Sequence, residues 1–372
     1  MNPDVIIVGA GVIGTACAYF LSLKKLKVLV LEQRYPASGA SGAAASMVNI
    51  GGTTGTPEPL RPLNLESHRL IQELESDFDQ PIEIMRGGSL ILALNEEESA
   101  KLRSAYQETR RMGVSCEIVD AVQVRNMEPL VTQRIESALY TPGNYHINPF
   151  RLCRGYLQSA MRRGTKILCG VTVKSVEING GTVKRIVTDR GDYFAERVVI
   201  ASGINTPEIV ASACGISIPV VPARGQVIIT EAYRPMITRS ISLLSHLYIK
   251  QTANGNFYLG SYTEYAGREN RVVLETLSSY AQTLVRVVPV LARIRALRFF
   301  AGFRPMSEDG LPIIGPLPEC PHLIVASGHG RTGIRYSAST GKAVSELILE
   351  GKTKIPVDAF AVDRFLKSDS FD

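Results

Sequence analysis

No two of the six cysteines (Cys17, Cys116, Cys153, Cys169, Cys214 and Cys320) form a Cys-x-x-Cys pair, which excludes a zinc ribbon and a thioredoxin-like motif. Thiols scattered in this way fit a reducing compartment. No run of five or six like charges occurs, so a nucleic-acid-binding tail is excluded. No stretch of 18 uncharged apolar residues occurs, so no transmembrane segment is expected. No basic segment precedes the first apolar run at Val5, so a signal peptide is not expected. Short repeats and low-complexity tracts are missing, and the histidines lack metal-ligand spacing, so no metal site is expected. His68 reads as a surface or packing residue. Together these absences lead us to expect a soluble, cytoplasmic protein.

What is present is a chain of 372 residues, 45% hydrophobic. At roughly 150 residues per domain this means two domains or one large interleaved unit. Such a chain can bury a core without disulfide or metal staples. The 41 basic and 35 acidic residues leave a net charge of +6, which modestly favours anionic small molecules.

The continuous apolar run Val5-Ile6-Ile7-Val8 reads as a strand buried on both faces. Thr15 to Lys24 has helical spacing, and Val28-Leu29-Val30-Leu31 is a second strand ending at Glu32, which completes a βαβ unit. Residues 36 to 56 are dominated by Gly, Ala, Ser and Thr, so something must approach that backbone closely. Helices are expected over Leu63 to Phe78, Glu96 to Met112, from Asp120, Pro149 to Arg163, Leu274 to Val287 and Ser337 to Leu349. Strands are expected over Gly88 to Leu94, Glu196 to Ile200 and His322 to Ala326. Ile167 to Ile178 and Val183 to Thr188 read as a hairpin around Asn179-Gly180-Gly181. Residues 218 to 262 alternate as antiparallel sheet, with a turn at Asn254-Gly255. A strand, Gly-rich turn and helix stand at both ends of the chain. This predicts an interleaved α/β architecture, with both ends building one domain and the middle another.

Gly9-x-Gly11-x-x-Gly14 directly follows a strand and opens a helix, and Glu32 ends the next strand 18 residues past Gly14. The first glycine permits a tight turn, the second lets a pyrophosphate approach, and the third allows close helix–strand packing. The helix N-terminus offers N–H groups and a positive dipole end to phosphates, and Glu32 can accept hydrogen bonds from a ribose. This is the pattern of adenine dinucleotide binding; the bland alternatives are a Gly-rich turn of an ordinary α/β fold and a solvated strand-end acid. Three features favour FAD over NAD: the unit at the N-terminus, the small-residue loop at 38 to 44, and the C-terminal strand-turn-helix.

Four motifs now combine: Val8-Gly9-Ala10-Gly11-Val12-Ile13-Gly14; Ala37-Ser38-Gly39-Ala40-Ser41-Gly42-Ala43; Ala301-Gly302-Phe303-Arg304-Pro305 with Asp309-Gly310-Leu311-Pro312-Ile313-Ile314-Gly315; and Gly328-His329-Gly330-Arg331-Thr332-Gly333-Ile334. In this order they make the chain resemble the D-amino-acid oxidase and glycine oxidase superfamily of FAD-dependent amine oxidoreductases. Within it the chain is most similar to glycine oxidase and to the flavin-bearing β subunits of proline, hydroxyproline and opine dehydrogenase complexes. The resemblance implies a Rossmann-type FAD-binding domain (1–46, 148–217, 306–372) interleaved with an antiparallel-sheet substrate domain (47–147, 218–305). It implies cofactor contacts from Gly9, Gly11, Val12, Ile13, Gly14, Glu32, Gln33 and Arg34. Further contacts are implied from Ser38, Gly39, Ala40, Ser41, Gly42, Ala44, Val173, Ala201, Gly203, Gly302 and Arg304. The last loop would add Gly328, His329, Gly330, Thr332, Gly333 and Ile334, presenting N–H groups to the flavin edge. No cysteine lies in residues 300 to 315, and Cys320 reads as part of a Pro-rich turn, so FAD is expected to be non-covalent.

The resemblance also implies that Arg304 grips the substrate carboxylate, and a planar guanidinium does so bidentately. The alternative is a structural arginine paired with an internal acid. Tyr248 matches the family's substrate-contacting tyrosine, or is a core strand aromatic. Arg331 matches an arginine of the glycine oxidase loop, and His329 is a base or a positioning group. Arg335 departs from the family's usual apolar residue. It either adds a third cation suited to a substrate with more than one carboxylate, such as an opine, or faces solvent or a partner chain. The expected reaction is hydride transfer from the α-carbon of an unprotonated amine to flavin N5, followed by hydrolysis of the imine. Substrates of opine, proline, hydroxyproline or sarcosine type are expected, within the catalytic β subunit of a hetero-oligomeric dehydrogenase. A stand-alone oxidase using oxygen, a non-catalytic FAD-binding assembly subunit and an NAD-dependent dehydrogenase are the rival readings.

Overall fold

Val5-Ile6-Ile7-Val8 is fully buried, and its alternating side chains enter two different cores. Val5 and Ile7 meet a helical layer, whereas Ile6 and Val8 meet the opposite layer, as the two faces of a doubly covered strand require. The strand belongs to a six-stranded sheet in the computed structural model, which describes residues 3–51 and 56–366. Part of the small-residue stretch read over 36 to 56, and both chain ends of the expected cofactor domain, lie outside the described residues.

The sheet order is Ile313–Leu317, Cys320–Ser327, Arg197–Ile200, Val5–Val8, Val28–Glu32 and Lys166–Cys169. All neighbours are parallel except the first pair. Strands from both ends of the chain therefore sit in one sheet. Helix Val12–Ser22 is buried along its whole length between this sheet and the helices Pro149–Arg162 and Gly333–Glu350. Gly341 permits that last crossing, since a Cβ there would stand 2.7 Å from the backbone of Ala16. The other face is covered by a three-stranded sheet of Val173–Asn179, Thr182–Thr188 and Gly191–Tyr193.

A second sheet has eight strands, in the order Ala296–Ser307, Val220–Ala232, Asn256–Gly260, Tyr248–Gln251, Ser240–Leu243, Ser89–Ala93, Ser137–Thr141 and Glu117–Asp120. One face packs on helix Leu274–Val287, and the other carries Val227, Tyr248 and Tyr258. No helix among the described residues is long and apolar enough to cross a membrane.

Four local expectations need correction. The arm expected over Ile167 to Ile178 is two strands: Lys166–Cys169 joins the parallel sheet and Val173–Asn179 the three-stranded one. Gly170, at φ +71°, turns the chain between them. The last helix starts at Gly333 rather than near Ser337, because the turn closes earlier: both the Thr332 N–H and its hydroxyl bond the His329 carbonyl. The first helix likewise starts at Val12, with Gly11 as its N-cap. Cys320 is not in a turn; it is buried as the first residue of a strand, opposite Leu317. His68 packs against the Tyr145 ring, and its Nε2 lies 2.9 Å from the Gly143 carbonyl.

Candidate active site

The carboxyl ends of the parallel strands and the face of the eight-stranded sheet that carries Val227, Tyr248 and Tyr258 line a common cavity of about 1740 Å³. Single small-molecule sites measure roughly 300–1,000 Å³, so there is room for a dinucleotide and a substrate together. Every cofactor residue expected from the sequence lines this cavity except Gly14 and Gly328. Those two stand behind the wall. A Cβ on Gly14 would overlap the Gly9 carbonyl, so its work is helix–strand packing; Gly328, at φ +69°, turns against Ser307 and Ile313.

The dinucleotide end is built by the first βαβ unit. Gly9 holds φ +103°, open to glycine at little cost, and bends the chain off its strand. Gly11 follows, and a Cβ there would meet only the Ser41 hydroxyl, at 3.3 Å; the remaining space belongs to the cavity. Ser41 Oγ accepts from the Val12 N–H at 2.9 Å, which ties the small-residue loop to the helix N-terminus. The Glu32 carboxylate accepts from the Ala10 and Arg34 N–H groups, each at 2.8 Å. A carboxylate has about four acceptor sites, so capacity remains for ribose hydroxyls. The residues present thus fit FAD, with a phosphate cradle at Gly11 and a ribose acceptor at Glu32.

At the other end, Gly333, Ile334 and Arg335 line the cavity with the first turn of the last helix, whose N–H groups have no partner within the helix. His329 is buried, and its Nε2 lies 3.0 Å from the Thr340 hydroxyl of that helix. Burial pulls its pKa down to about 3, so the ring is neutral at physiological pH.

Arg304 and Tyr248 meet on the sheet side. The Arg304 guanidinium donates to Ser261 Oγ at 2.5 Å and to the carbonyls of Arg224 and Tyr262 at 3.1 and 3.2 Å. The internal acid that could have claimed it, Glu264, is taken up by Arg224, Gln226 and Thr276. Arg304 has no ion-pair partner among the described residues, and desolvation lowers its pKa from the ordinary arginine value. Tyr248 is buried on the same face; burial pushes its phenol up to about 12, opposed by the Arg304 charge and a bond with Ser261. Arg331 and Arg335 also line the cavity. Desolvation, and then the Arg304 charge, pull Arg331 down from the ordinary arginine value, a pull weakened by solvent because the residue is exposed. The site brings all five expected catalytic candidates together.

Four residues of this site were not read from the sequence. Ser261 links Tyr248 to Arg304. A Cβ on Gly225 would overlap the Arg304 guanidinium, and one on Gly260 would stand 2.6 Å from the Tyr248 hydroxyl. His246, at a turn with φ +70°, lines the cavity, and its pKa is lowered by desolvation and then by Arg331 and Arg304. The available signal was the pair of glycines inside strand patterns, which marks close approach of another group.

The geometry agrees with three comparisons. A hydrogen cyanide synthase subunit HcnC from Pseudomonas aeruginosa is 29% identical over 401 residues, covering 97% of this chain and 96% of that protein. The glycine oxidase of Geobacillus kaustophilus is 29% identical over 98% of this chain and 97% of its own. Its crystal structure superposes with a TM-score of 0.93, covering 98% of this chain and 99% of that one. A sarcosine oxidase subunit beta from Rhizobium meliloti is 27% identical over 97% of this chain and 88% of its own. The family model for FAD dependent oxidoreductases matches residues 4–347. A dinucleotide cradle facing a cationic pocket, within a match of that span, makes this chain a member of the FAD-dependent oxidoreductase family and an FAD-dependent enzyme.

Proposed function

We propose that the enzyme oxidises the C–N bond of an amino acid or secondary-amine amino acid, with Arg304 as the clamp on the α-carboxylate. One observation carries this reading: a guanidinium facing the cavity, fixed by Ser261 and two carbonyls, with no carboxylate of its own. Left unpaired, such a charge is costly; a substrate carboxylate satisfies it with two parallel bonds. Bound FAD supplies the acceptor for the hydride equivalent that leaves the substrate α-carbon. Tyr248, kept neutral by burial, contributes a hydroxyl beside Ser261. His329, neutral and directed at Thr340, acts as a positioning group for the Gly328 to Gly333 loop. The substrate amine then enters unprotonated, and orientation supplies most of the rate.

The division into a cofactor part (1–46, 148–217, 306–372) and a substrate part (47–147, 218–305) is supported by the two sheets. All six strands of the parallel sheet fall in the first set, and the eight-stranded sheet falls in the second apart from its last two residues, 306 and 307. Non-covalent FAD is supported by the cavity wall, where no cysteine stands among the described residues. Six free cysteines support a reducing, cytoplasmic setting. Two relatives bear subunit names, which supports a place as the catalytic subunit of a hetero-oligomeric complex. The likeness to glycine oxidase supports a second reading, a stand-alone oxidase using oxygen.

Anaerobic mixing of the holoenzyme with amino acids and their decarboxylated amines tests the reaction. Flavin bleaching by sarcosine, glycine, D- or L-proline, hydroxyprolines or opines, but not by the amine lacking the carboxylate, is expected. Bleaching by both alike overturns the clamp. Reoxidation of the reduced enzyme by oxygen, followed by stopped flow, separates the oxidase from the dehydrogenase. A native mass well above 40.5 kDa is expected for the complex.

A further inference from the structure

We propose a second anion-binding subsite in the cavity, built by Arg331, His246 and Arg335 beside Arg304, so that the preferred substrates are amines carrying two carboxylates. This deepens the reading of Arg304 as the clamp on the first carboxylate and rests on it. Arg331 is the hub. It follows Gly330, whose N–H donates to the Pro305 carbonyl next to Arg304; Arg335 stands four residues on, in the first turn of the last helix, and His246 lines the same cavity. None of the three arginines has an ion-pair partner among the described residues. The Nε of Arg335 is buried with no hydrogen-bond partner.

The acids of the cavity wall do not compensate this charge. Glu32 is held by the N–H groups of Ala10 and Arg34 at the dinucleotide end, and Glu208 is paired with Arg268. Glu264 does not line the cavity; it is engaged by Arg224 and Gln226, and its charge acts on Arg304 alone of the three arginines. Like charges gathered in a partly desolvated space repel, and the repulsion persists unless an anion enters. One α-carboxylate saturates Arg304 through its fork. Arg331 has no ion-pair partner among the described residues, Arg335 has only the Tyr336 ring, 5.9 Å from its guanidinium, and neutral His246 adds a ring N–H donor on the same cavity wall. A second carboxylate on the substrate accounts for these unused donors.

The test uses the holoenzyme and inert ligands read by perturbation of the flavin spectrum. Glutarate and butyrate differ by one carboxylate. The wild type is expected to bind glutarate at least about 10-fold more tightly than butyrate. In Arg331→Met the ratio of the two dissociation constants should fall towards one, with partial recovery in Arg331→Lys, which keeps the charge without the fork. Arg335→Met gives a second, independent reduction of the ratio. The same ordering is expected in kcat/KM for N-(1-carboxyethyl)glycine against N-ethylglycine. Equal binding of glutarate and butyrate by the wild type overturns the subsite. So does an Arg331→Met protein that keeps the wild-type ratio while the flavin midpoint potential shifts in the absence of ligand, since Arg331 then compensates the cofactor. Arg304→Met separates the two readings. Unchanged butyrate binding there rejects the clamp, whereas the glutarate-to-butyrate ratio in Arg331→Met reports on the second subsite alone.

Discussion

The space that a side chain would fill at Gly225 is occupied by the guanidinium of Arg304, which crosses from the neighbouring strand. Gly225 pairs with Gly302 and Ala223 with Arg304, so the arginine reaches diagonally over a position that has no side chain. Ser261 and the carbonyls of Arg224 and Tyr262 then fix its orientation. The register of one strand pair thereby sets where a substrate carboxylate docks.

Gly225→Ala should therefore leave the fold and FAD content intact, because the group displaced is the flexible end of a side chain. The added methyl pushes the guanidinium off its anchors. We expect kcat/KM for an amino acid to fall roughly 10- to 100-fold, chiefly through KM. Unaltered kinetics would show that Arg304 is not held in place by this cradle.

Arg304→Lys should restore only part of what Arg304→Met loses, since a point charge cannot reproduce a fork. Loss of a buried charge-assisted pair costs about 2–5 kcal/mol, or roughly 30-fold to several thousandfold in kcat/KM. The discriminating measurement compares an amino acid with its decarboxylated amine. The Met variant is expected to lose the preference for the carboxylated compound, and an undiminished preference moves the clamp to Arg331 or Arg335.

Gly11→Val separates cofactor binding from folding. The backbone at Gly11 is extended, with φ −69° and ψ −179°, and an added Cβ meets only Ser41 Oγ at 3.3 Å. The chain should fold, and the valine branches should block the pyrophosphate path. Flavin absorbance per protein is expected to drop below about a tenth of the wild type, with the secondary structure retained by circular dichroism. Gly14→Ala is the contrast: its Cβ overlaps the Gly9 carbonyl, so stability falls together with FAD content. Full flavin content in folded Gly11→Val would refute the cradle.

The cofactor end was legible because its chemistry is local. Gly9, Gly11, Gly14 and Glu32 fall within one βαβ unit whose apolar runs already declare two buried strands. The substrate end is written across distant strands. Ser89–Ala93 pairs with Ser240–Leu243, and Arg304 meets Ser261 only through the order of the eight-stranded sheet. Arg304 and Tyr248 came from resemblance, whereas Ser261, Gly225, Gly260 and His246 acquire meaning only from register. The split at Gly170 was hidden for a related reason: both halves are extended strands a few residues apart, and their pairing partners, which differ, are set by distant segments.

Lys250 gives a prediction that lies outside the chemistry altogether. It is 3% exposed, sits over the Tyr258 ring at 5.1 Å and has no ion-pair partner among the described residues. Burial pulls its pKa down to about 7, against roughly 10.4 in an unfolded chain. Across that window the unfolded state binds a proton that the native state does not. Stability is therefore present above the unfolded value, is lost as pH falls from about 10.4 to about 7, and is constant below. The loss is on the order of 2–5 kcal/mol at pH 7. Lys250→Met keeps the length and apolar stem and removes the titration. Chemical denaturation of the holoenzyme should show the variant more stable than the wild type at pH 7, with most of the difference gone by about pH 9.5. A variant less stable by the same amount at both pH values would mean that the Lys250 ammonium has a compensating partner, and that the amine is part of a paired network rather than an isolated buried charge.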